Sequence, residues 1–434
     1  MTSGEDDEFR SSNLTITPPS KKQKETEVEE TLDRLNSSIL DEHLSQISRC
    51  LSFAVEKKVE NVVFWSDDDS TCTWPESFGT CSSLINLDFI FCCFSRDAVI
   101  AWKSLKSLKL EFFLLSEDHI VNLLSGCPSL ETLELSLVAG FSRLEINSFK
   151  LKTLNLKGYW IANDRSDHSL EIIAPYLQHL EISGDLYDLK CRLVDVSSLL
   201  NACLTFNLKC IKDIKFELLE HFNIEEDSCR DYHQLLRTLV QDNLQKVSCA
   251  TELTIGTWFT EVLCMFQFKG VLIPESKCKH LTLELHMKKI NLYGVAGFLR
   301  ASPYVETLNI DMDATDSVEP RCKYELKYLA RGDNIDLQSR ISSFVFPNLK
   351  KVKIVISSGV CLKDHFNWGF DKLFKLSEFL LKRATVLEKF VLISKRRKCK
   401  RCSMNCVSRY LFRLAEKLLG CPRSSTNFVI IFQE

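Results

Sequence analysis

The chain has 434 residues, of which 45% are hydrophobic and 26% are charged. This balance excludes a wholly disordered chain, because the apolar residues suffice for a large core and the net charge is small. The 55 Lys and Arg residues against 58 Asp and Glu residues give a net charge of −3. That value argues against a general nucleic-acid or membrane-surface binder, since such proteins are basic.

Residues 1–31 are polar and charged and lack apolar periodicity, which predicts a disordered tail. The acidic start from Glu5 to Glu8 has no apolar region of the kind that a secretory signal needs. We therefore expect a protein of the nucleus or cytoplasm, whose 19 scattered cysteines are reduced, buried thiols. The basic run at 21–24 fits a solvated tail or, alternatively, a nuclear import signal.

A short apolar pattern recurs from residue 84 onward. Each copy has an apolar residue, two variable residues, an apolar residue, one variable residue and a third apolar residue. The first copies begin 21 and 25 residues apart, which matches the leucine-rich-repeat period of about 20–29 residues. The copies begin at Leu84, Leu105, Leu130, Leu151, Leu177, Leu199, Ala250, Cys278, Val305, Leu349 and Leu387.

The spacing of this pattern predicts the fold. The last two apolar positions of each copy are two residues apart, so both point to one face of a short strand. Return segments are expected to be helical or turn-like, with helices ending at Gly126 and Arg300 and a third helix over 231–244. Because one repeat cannot bury its apolar face alone, the copies must stack. We predict an α/β leucine-rich-repeat solenoid, with a curved parallel sheet on the concave face and helices on the convex face.

The variable positions of the strands point away from the core, onto the concave face where such solenoids bind proteins. These positions are polar and varied, whereas the core positions are uniform, which predicts a protein-binding surface. The predicted binding residues are Asn86, Asp88, Ser107, Lys109, Glu111, Thr132, Glu134, Thr153, Asn155, Lys157, His179, Glu181, Thr307, Asn309, Asp311, Lys351 and Lys353.

Two further groups of side chains are of the types that bind metals. His280, Thr282, Glu284 and His286 alternate along one strand, as solvated polar residues or, alternatively, as metal ligands. Cys399, Cys402 and Cys406 have a zinc-like spacing, with a basic loop as the competing interpretation. The acidic run 67–69 is interpreted as a solvated loop. No nucleotide-binding, hydrolase or metalloprotease motif is present, so we predict no catalysis, no cofactor and no metal.

Several segments resemble the plant F-box/LRR-repeat family with an FBD-like C-terminal region. They are Cys50–Val62, Gly126–Leu135, the Ala-Pro-Tyr-Leu run at 174–177, Phe346–Lys350, 379–384, 386–389 and 421–425. The resemblance implies a substrate-recognition subunit of an SCF-type ubiquitin ligase. Its partners would be a protein marked for ubiquitination and the SCF adaptor, without a membrane or a nucleic acid.

The N-terminal region departs from that family. The segment 32–36 resembles only the opening of an F-box, and the repeat entry has already begun by residue 49. The expected domains are therefore a tail over 1–31, a truncated F-box region over 32–49, the solenoid over 50–330 and FBD-like repeats with a cap over 331–434. The alternative function is an interaction scaffold without a ligase role, and adaptor binding then requires that the N-terminal segment can dock.

Overall fold

The computed structural model describes residues 13–17, 40–65, 71–72, 74–90, 93–94, 99–159, 169–187, 190–209, 236–286, 291–313, 344–356, 370–395, 399, 403–426 and 429–433. The chain divides into two compact units, Met1–Gln178 and His179–Glu434. Each unit consists of short parallel strands joined by return segments, which confirms the predicted α/β leucine-rich-repeat class. The runs at 21–24, 32–36 and 67–69 lie outside the described residues.

The first unit is built on a parallel ladder. Its order is β2-β4-β6-β7-β9, with short strand pairs among the return segments. In chain order the elements are β1 (Asn13–Thr17), α1 (Leu40–Glu56), β2 (Asn61–Trp65), β3 (Thr71–Cys72), α2 (Glu76–Gly79), β4 (Asn86–Ile90), β5 (Cys93–Phe94), β6 (Ser107–Glu111), α3 (Glu117–Gly126), β7 (Thr132–Val138), β8 (Arg143–Glu145), β9 (Thr153–Tyr159) and β10 (Ser169–Ile173).

The three apolar positions of each copy form the core of this unit. Leu84, Leu87 and Phe89 of the first copy are each at most 1% exposed. Burial alternates along β4 and β6, so every second side chain enters the core and the others face away from it. Because the strands are in register, equivalent apolar residues of successive repeats lie side by side.

A shared backbone carbonyl fixes that register at the start of the strands. The Ile85 carbonyl accepts hydrogen bonds from the N–H groups of Lys106 and Ser107, at 2.8 and 3.1 Å. The Lys106 carbonyl in turn accepts from Glu131 and Thr132, at 2.8 and 2.9 Å. A shift of one strand by one residue would break both pairs of hydrogen bonds and would turn the core side chains outward.

Helix α3 ends where the sequence predicts. It begins at a capping box in which the Ser116 hydroxyl accepts from the His119 N–H, and it ends at Gly126. A Cβ on Gly126 would lie 2.1 Å from the Ile100 carbonyl oxygen. Only glycine therefore allows the helix end to approach the preceding segment this closely.

Some return segments of the first unit contain strands rather than helices, and the longest of these strands are β8 and β10. β8 and β10 pair in parallel, with Leu144 opposite Ile172. The physical reason is the period of the sequence, because burial along β10 alternates with a period of two. The prediction of helices or turns on this side of the sheet therefore fails at these two segments.

One segment of the predicted tail is a strand. β1 pairs antiparallel with β2, with Leu14 opposite Phe64 and Ile16 opposite Val62. Its sequence alternates Leu, Thr, Ile and Thr, and β-branched residues favour extended backbone. The prediction of a disordered tail over 1–31 therefore does not hold for Asn13–Thr17.

The second unit continues the same kind of ladder through β11-β13-β15-β16-β17-β18-β19-β20, all in parallel pairs. The strands β18, β19 and β20, all within residues 331–434, thus extend this ladder. In chain order the elements are β11 (His179–Tyr187), β12 (Lys190–Asp195), β13 (Asn201–Leu204), β14 (Asn207–Lys209), α4 (Arg237–Lys246), β15 (Glu252–Gly256), α5 (Thr257–Lys269), β16 (His280–His286), α6 (Leu292–Arg300), β17 (Thr307–Asp313), β18 (Lys351–Ile356), α7 (Phe370–Arg383), β19 (Lys389–Ser394), α8 (Cys406–Leu419) and β20 (Val429–Gln433).

Helices of this unit pack through specific small or polar residues. In α4, the buried Asn243 side chain accepts from the Leu193 N–H at 3.0 Å and donates to the Cys191 carbonyl at 2.9 Å. In α6, a Cβ on Gly294 would lie 1.8 Å from the Thr260 carbonyl oxygen of α5. The predicted helices before Ala301 and within 231–244 are therefore found, the latter from Arg237 onward.

Candidate functional site

The face of each ladder opposite its core, here called the polar face, carries the predicted binding residues. In the first unit these residues are half-buried or exposed and belong to neighbouring strands in exact-register pairs. Three rows cross the strands: Asn86, Ser107, Thr132 and Thr153; then Asp88, Lys109, Glu134 and Asn155; then Glu111, Ser136 and Lys157.

Ion pairs connect the second and third rows. Lys109 Nζ lies 3.0 Å from Glu111 Oε2 and 3.7 Å from Glu134 Oε1. Lys157 Nζ lies 3.3 Å from Glu134 Oε2. The hydrogen bond to Glu111, with the carboxylates around it, raises the pKa of Lys109. The lysines on this part of the face are therefore neutralised by neighbouring carboxylates.

Asp88 occupies a less favourable position in the same row. Burial is the main cause that raises the pKa of its carboxyl, and the charges of Glu134 and Glu111 add to that effect. The ammonium group of Lys109 opposes the rise without cancelling it. The polar face thus holds a carboxylate whose charged form the fold disfavours.

An apolar border lies beside Asp88, on strand β2, which the sequence analysis did not assign to the face. Val63 of β2 is opposite Asp88, and Trp65 is opposite Ile90. Val63 is 37% exposed. The signal was available in the sequence, because Val59, Val62 and Phe64 have the repeat spacing and are each 1% exposed.

At the edge of the polar face, three successive strands each have one residue with left-handed backbone. Phe112, Leu137 and Gly158 each follow the third-row residue of their strand, and their φ angles are 58°, 50° and 75°. Such angles suit glycine but are uncommon for apolar side chains. Phe112 is 36% exposed and so adds apolar surface at this edge of the face.

In the second unit the predicted residues separate into two places. His179 and Glu181 lie on β11, which pairs with β13. The other five predicted residues lie together on the adjacent strands β17 and β18. Strands β15 and β16 lie between β13 and β17 in the ladder. Within that group Thr307 is opposite Lys351, and Asn309 is opposite Lys353, while Asp311 comes next along β17.

The candidate metal residues of β16 share the polar face, as predicted. Burial alternates along the strand, with Leu281, Leu283 and Leu285 in the core. The Asn309 amide donates to the Thr282 hydroxyl at 3.4 Å. Among the residues that the structure describes, no three His, Cys, Asp or Glu side chains are grouped as metal ligands would be.

Lys389 is a face residue that the sequence analysis missed. It is directly opposite Lys351 in the ladder of β18 and β19, and it is exposed. Its signal was the eleventh repeat copy, in which Lys389 has the position that Lys351 has in the tenth. Two lysines therefore stand side by side on this part of the face.

Most of the thiols whose burial the structure describes are buried. Burial raises the pKa of Cys127 and of Cys191 to about 12, and the pKa of Cys203 to about 11. Of the zinc-spaced set, Cys406 is buried at the start of α8, Cys399 is half-buried, and Cys402 lies outside the described residues.

Within the described part of the chain, no helix is both long and apolar enough to span a membrane.

Comparisons with known proteins match this architecture. A family model described as "FBD-associated F-box protein At5g56370, LRR repeats" matches residues 47–224. The F-box/LRR-repeat protein At3g03360 of Arabidopsis thaliana is 31% identical over 274 residues, which are 61% of this chain and 52% of that protein. The putative F-box/LRR-repeat protein At3g18150 of the same plant is 28% identical over 358 residues, 76% of this chain and 72% of the relative.

The chain thus spans about half the length of At3g03360. A third relative, the probable F-box protein At1g60180 of Arabidopsis thaliana, is 27% identical over 67% of this chain and 79% of its own length. The repeats, the parallel ladders and these matches agree with one another. They confirm the predicted resemblance: the chain is similar to the plant F-box/LRR-repeat proteins, and residues 47–224 match the leucine-rich repeats of FBD-associated F-box proteins.

Proposed function

We propose that this chain is a non-catalytic protein-binding protein that acts as the substrate-recognition subunit of an SCF-type ubiquitin ligase. The carrying observation is the contrast between the two sides of the strands. Core positions are uniformly apolar, whereas positions in register on the polar face differ in charge, size and hydrogen bonding. A surface that varies on a constant scaffold is suited to recognising one partner.

The ligase role is supported by the relatives, whose names describe F-box and F-box/LRR-repeat proteins. In this role the polar face would hold a protein that is to be ubiquitinated, in the nucleus or cytoplasm. The thiols support a binding role rather than catalysis, because a pKa of about 12 leaves Cys127 and Cys191 protonated at neutral pH.

A second candidate, an interaction scaffold without a ligase role, is favoured by the structure of residues 40–65. Helix α1 leads through a short turn at Lys58 into β2, and Leu51, Ala54 and Val59 are buried at the end of the repeats. Leu51, Ala54 and Val59 thus contribute to the core of the first repeat.

Co-purification with the SCF adaptor distinguishes the two candidates. The chain is compared with a fusion in which a complete F-box is placed before Leu40, and both are tested for adaptor binding by calorimetry. Micromolar or tighter binding of the unmodified chain would support the ligase role. Binding of the fusion alone would leave the chain as a scaffold, and the fusion controls for a competent adaptor.

A further inference from the structure

Three lysines on the polar face of the second unit are clustered, and no carboxylate of the described residues is paired with them. Lys351 and Lys389 are directly opposite in the parallel pair of β18 and β19. Lys353 is two residues beyond Lys351 on the same face. Adjacent strands lie about 4.8 Å apart, and alternate residues along a strand about 7 Å apart. We call these three residues the lysine cluster.

Like charges directly opposite each other destabilise a sheet, so they are usually paired with carboxylates. Lysines elsewhere in this unit do have carboxylate partners. Lys350 lies 2.9 Å and Lys279 lies 4.0 Å from the carboxylate of Glu306. In the part of the chain that the structure describes, none of the lysine-cluster ammonium groups has such a partner. The nearby acid, Asp311, is opposite Val355 and lies 4.0 Å from Lys395.

The neighbours of the lysine cluster complete a binding surface. On one side, Thr307 is opposite Lys351 and Asn309 is opposite Lys353, and these side chains can form hydrogen bonds. On the other side, Val429 of β20 is opposite Lys389 and 59% exposed, whereas Val391, which is opposite Lys353, is buried. A ligand here would meet three ammonium groups, a hydroxyl, an amide and an apolar edge.

We propose that the lysine cluster binds a short anionic segment of a partner protein, with phosphorylated or acidic side chains. The proposal rests on the proposed function, in that the polar face binds proteins, and it specifies the chemistry of the partner. Anionic groups would remove the repulsion between the lysines, and they would form charge-assisted hydrogen bonds with them. The uncompensated charge is thus explained as a binding determinant.

The surrounding face favours a peptide over a nucleic acid. The neighbouring strands β15, β16 and β17 carry Glu252, Glu284 and Asp311 on the same face. Glu284 and Asp311 are directly opposite each other in the pair of β16 and β17. These carboxylates would repel a phosphate backbone that continued across the strands, whereas a short anionic segment ends within the lysine cluster. The net charge of −3 agrees with this preference.

The test uses the full chain and three degenerate peptide libraries, with a central phosphoserine, a central glutamate or a central serine. Binding to the immobilised chain is compared with binding to the triple variant K351Q/K353Q/K389Q. We expect anionic peptides to be enriched on the wild type and their affinity to fall by about tenfold or more in the triple variant, because charged partners depend on complementary charge. Preference for phosphoserine over glutamate identifies the source of the charge.

The matched control is K103Q/K150Q/K375Q, which removes three exposed lysines from other parts of the surface. It should bind the anionic libraries as the wild type does. The triple variant should melt no lower than the wild type, since it loses only repulsion, so lost binding would not reflect unfolding. Equal binding of anionic and serine peptides, or equal binding by both triple variants, would overturn the proposal, as would tighter, lysine-dependent binding of an oligonucleotide.

This test is independent of the adaptor experiment. Peptide binding without adaptor binding would separate the lysine cluster from a ligase role. Adaptor binding without a preference for anionic peptides would leave the proposed function in place and would remove this inference.

Discussion

Lys157 on β9 donates a hydrogen bond to Glu134 on β7, and Nζ lies 3.3 Å from Oε2. The same carboxylate lies 3.7 Å from the ammonium group of Lys109 on β6, so one acid joins three strands of the first unit. Partly exposed ion pairs contribute little individually, but this acid separates two lysines that would otherwise repel. The side chain of Glu134 is 20% exposed, which limits screening by solvent.

Glu134→Gln should lower the free energy of unfolding by about 1 kcal/mol, and Glu134→Lys should lower it further because three positive charges would then adjoin. Urea unfolding at low salt and at 1 M NaCl measures both changes. The difference in free energy of unfolding between each variant and the wild type should be smaller at 1 M NaCl than at low salt. The control is Glu252→Gln, which removes an exposed carboxylate from β15, and an equal effect of the control would contradict this account.

Asp88→Asn should raise the free energy of unfolding at pH 7. Burial raises the pKa of Asp88 in the folded protein, so the folded state disfavours the carboxylate there. As the pH falls through that raised pKa, the wild type gains the proton and with it the stability. Below the unfolded-state pKa of about 3.9, both states hold the proton and the advantage of the variant should disappear.

Urea unfolding at pH 7, 5 and 3.5 measures the difference in free energy of unfolding between Asp88→Asn and the wild type. Asp242→Asn in α4 is the matched control, because it removes an exposed carboxylate that lies outside the polar face. A variant that is less stable than the wild type at pH 7 would show that the attraction of Lys109 exceeds the burial cost. The prediction concerns the polar face directly, since a carboxylate kept at a cost is a candidate contact for a basic group of the partner.

The repeat spacing predicted most of the strands, and the reason is physical. Leu108 and Leu110 are two residues apart, so a strand that buries one buries the other, and neighbouring copies supply the rest of the core. The polar face follows from the same alternation. The sequence therefore located Lys109 and Glu134 on that face before any contact was known.

Features that depend on contacts between repeats could not be predicted in this way. Phe112 and Leu137 have left-handed backbone at the position where the next repeat has Gly158, and only the glycine carries a sequence signal. The strand β10 was not predicted, although Ser169–Ile173 has a period of two, because five residues are too short a run to distinguish a strand from a turn. The ion pairs around Glu134 depend on side-chain reach across strands.

Gly126→Ala should destabilise the first unit by about 2 kcal/mol or more, the scale of an overpacked core. The added Cβ would lie 2.1 Å from the carbonyl oxygen of Ile100, which belongs to the backbone and cannot turn aside. Thermal and urea unfolding measure the loss. Gly420→Ala is the control, since the nearest atom to its Cβ is 3.7 Å away and its φ is −85°.

We expect the control to be neutral or slightly stabilising, because alanine restricts the unfolded chain more than glycine does. A Gly126→Ala variant as stable as the wild type would mean that α3 can shift away from Ile100. In that case the Gly-Cys-Pro run would mark only a helix stop and not a close approach between repeats.

Cys127 and Cys191 should resist alkylation by iodoacetamide at pH 7.5 in the folded protein. Burial raises the pKa of each thiol to about 12, so the reactive thiolate is scarce as well as shielded. Cys249, which is exposed, should be alkylated faster than either of them. Peptide mass spectrometry after timed labelling measures each site separately, and labelling in 6 M guanidinium shows that all three are chemically competent. If Cys127 reacted as fast as Cys249 without denaturant, the first unit would open near α3 in solution.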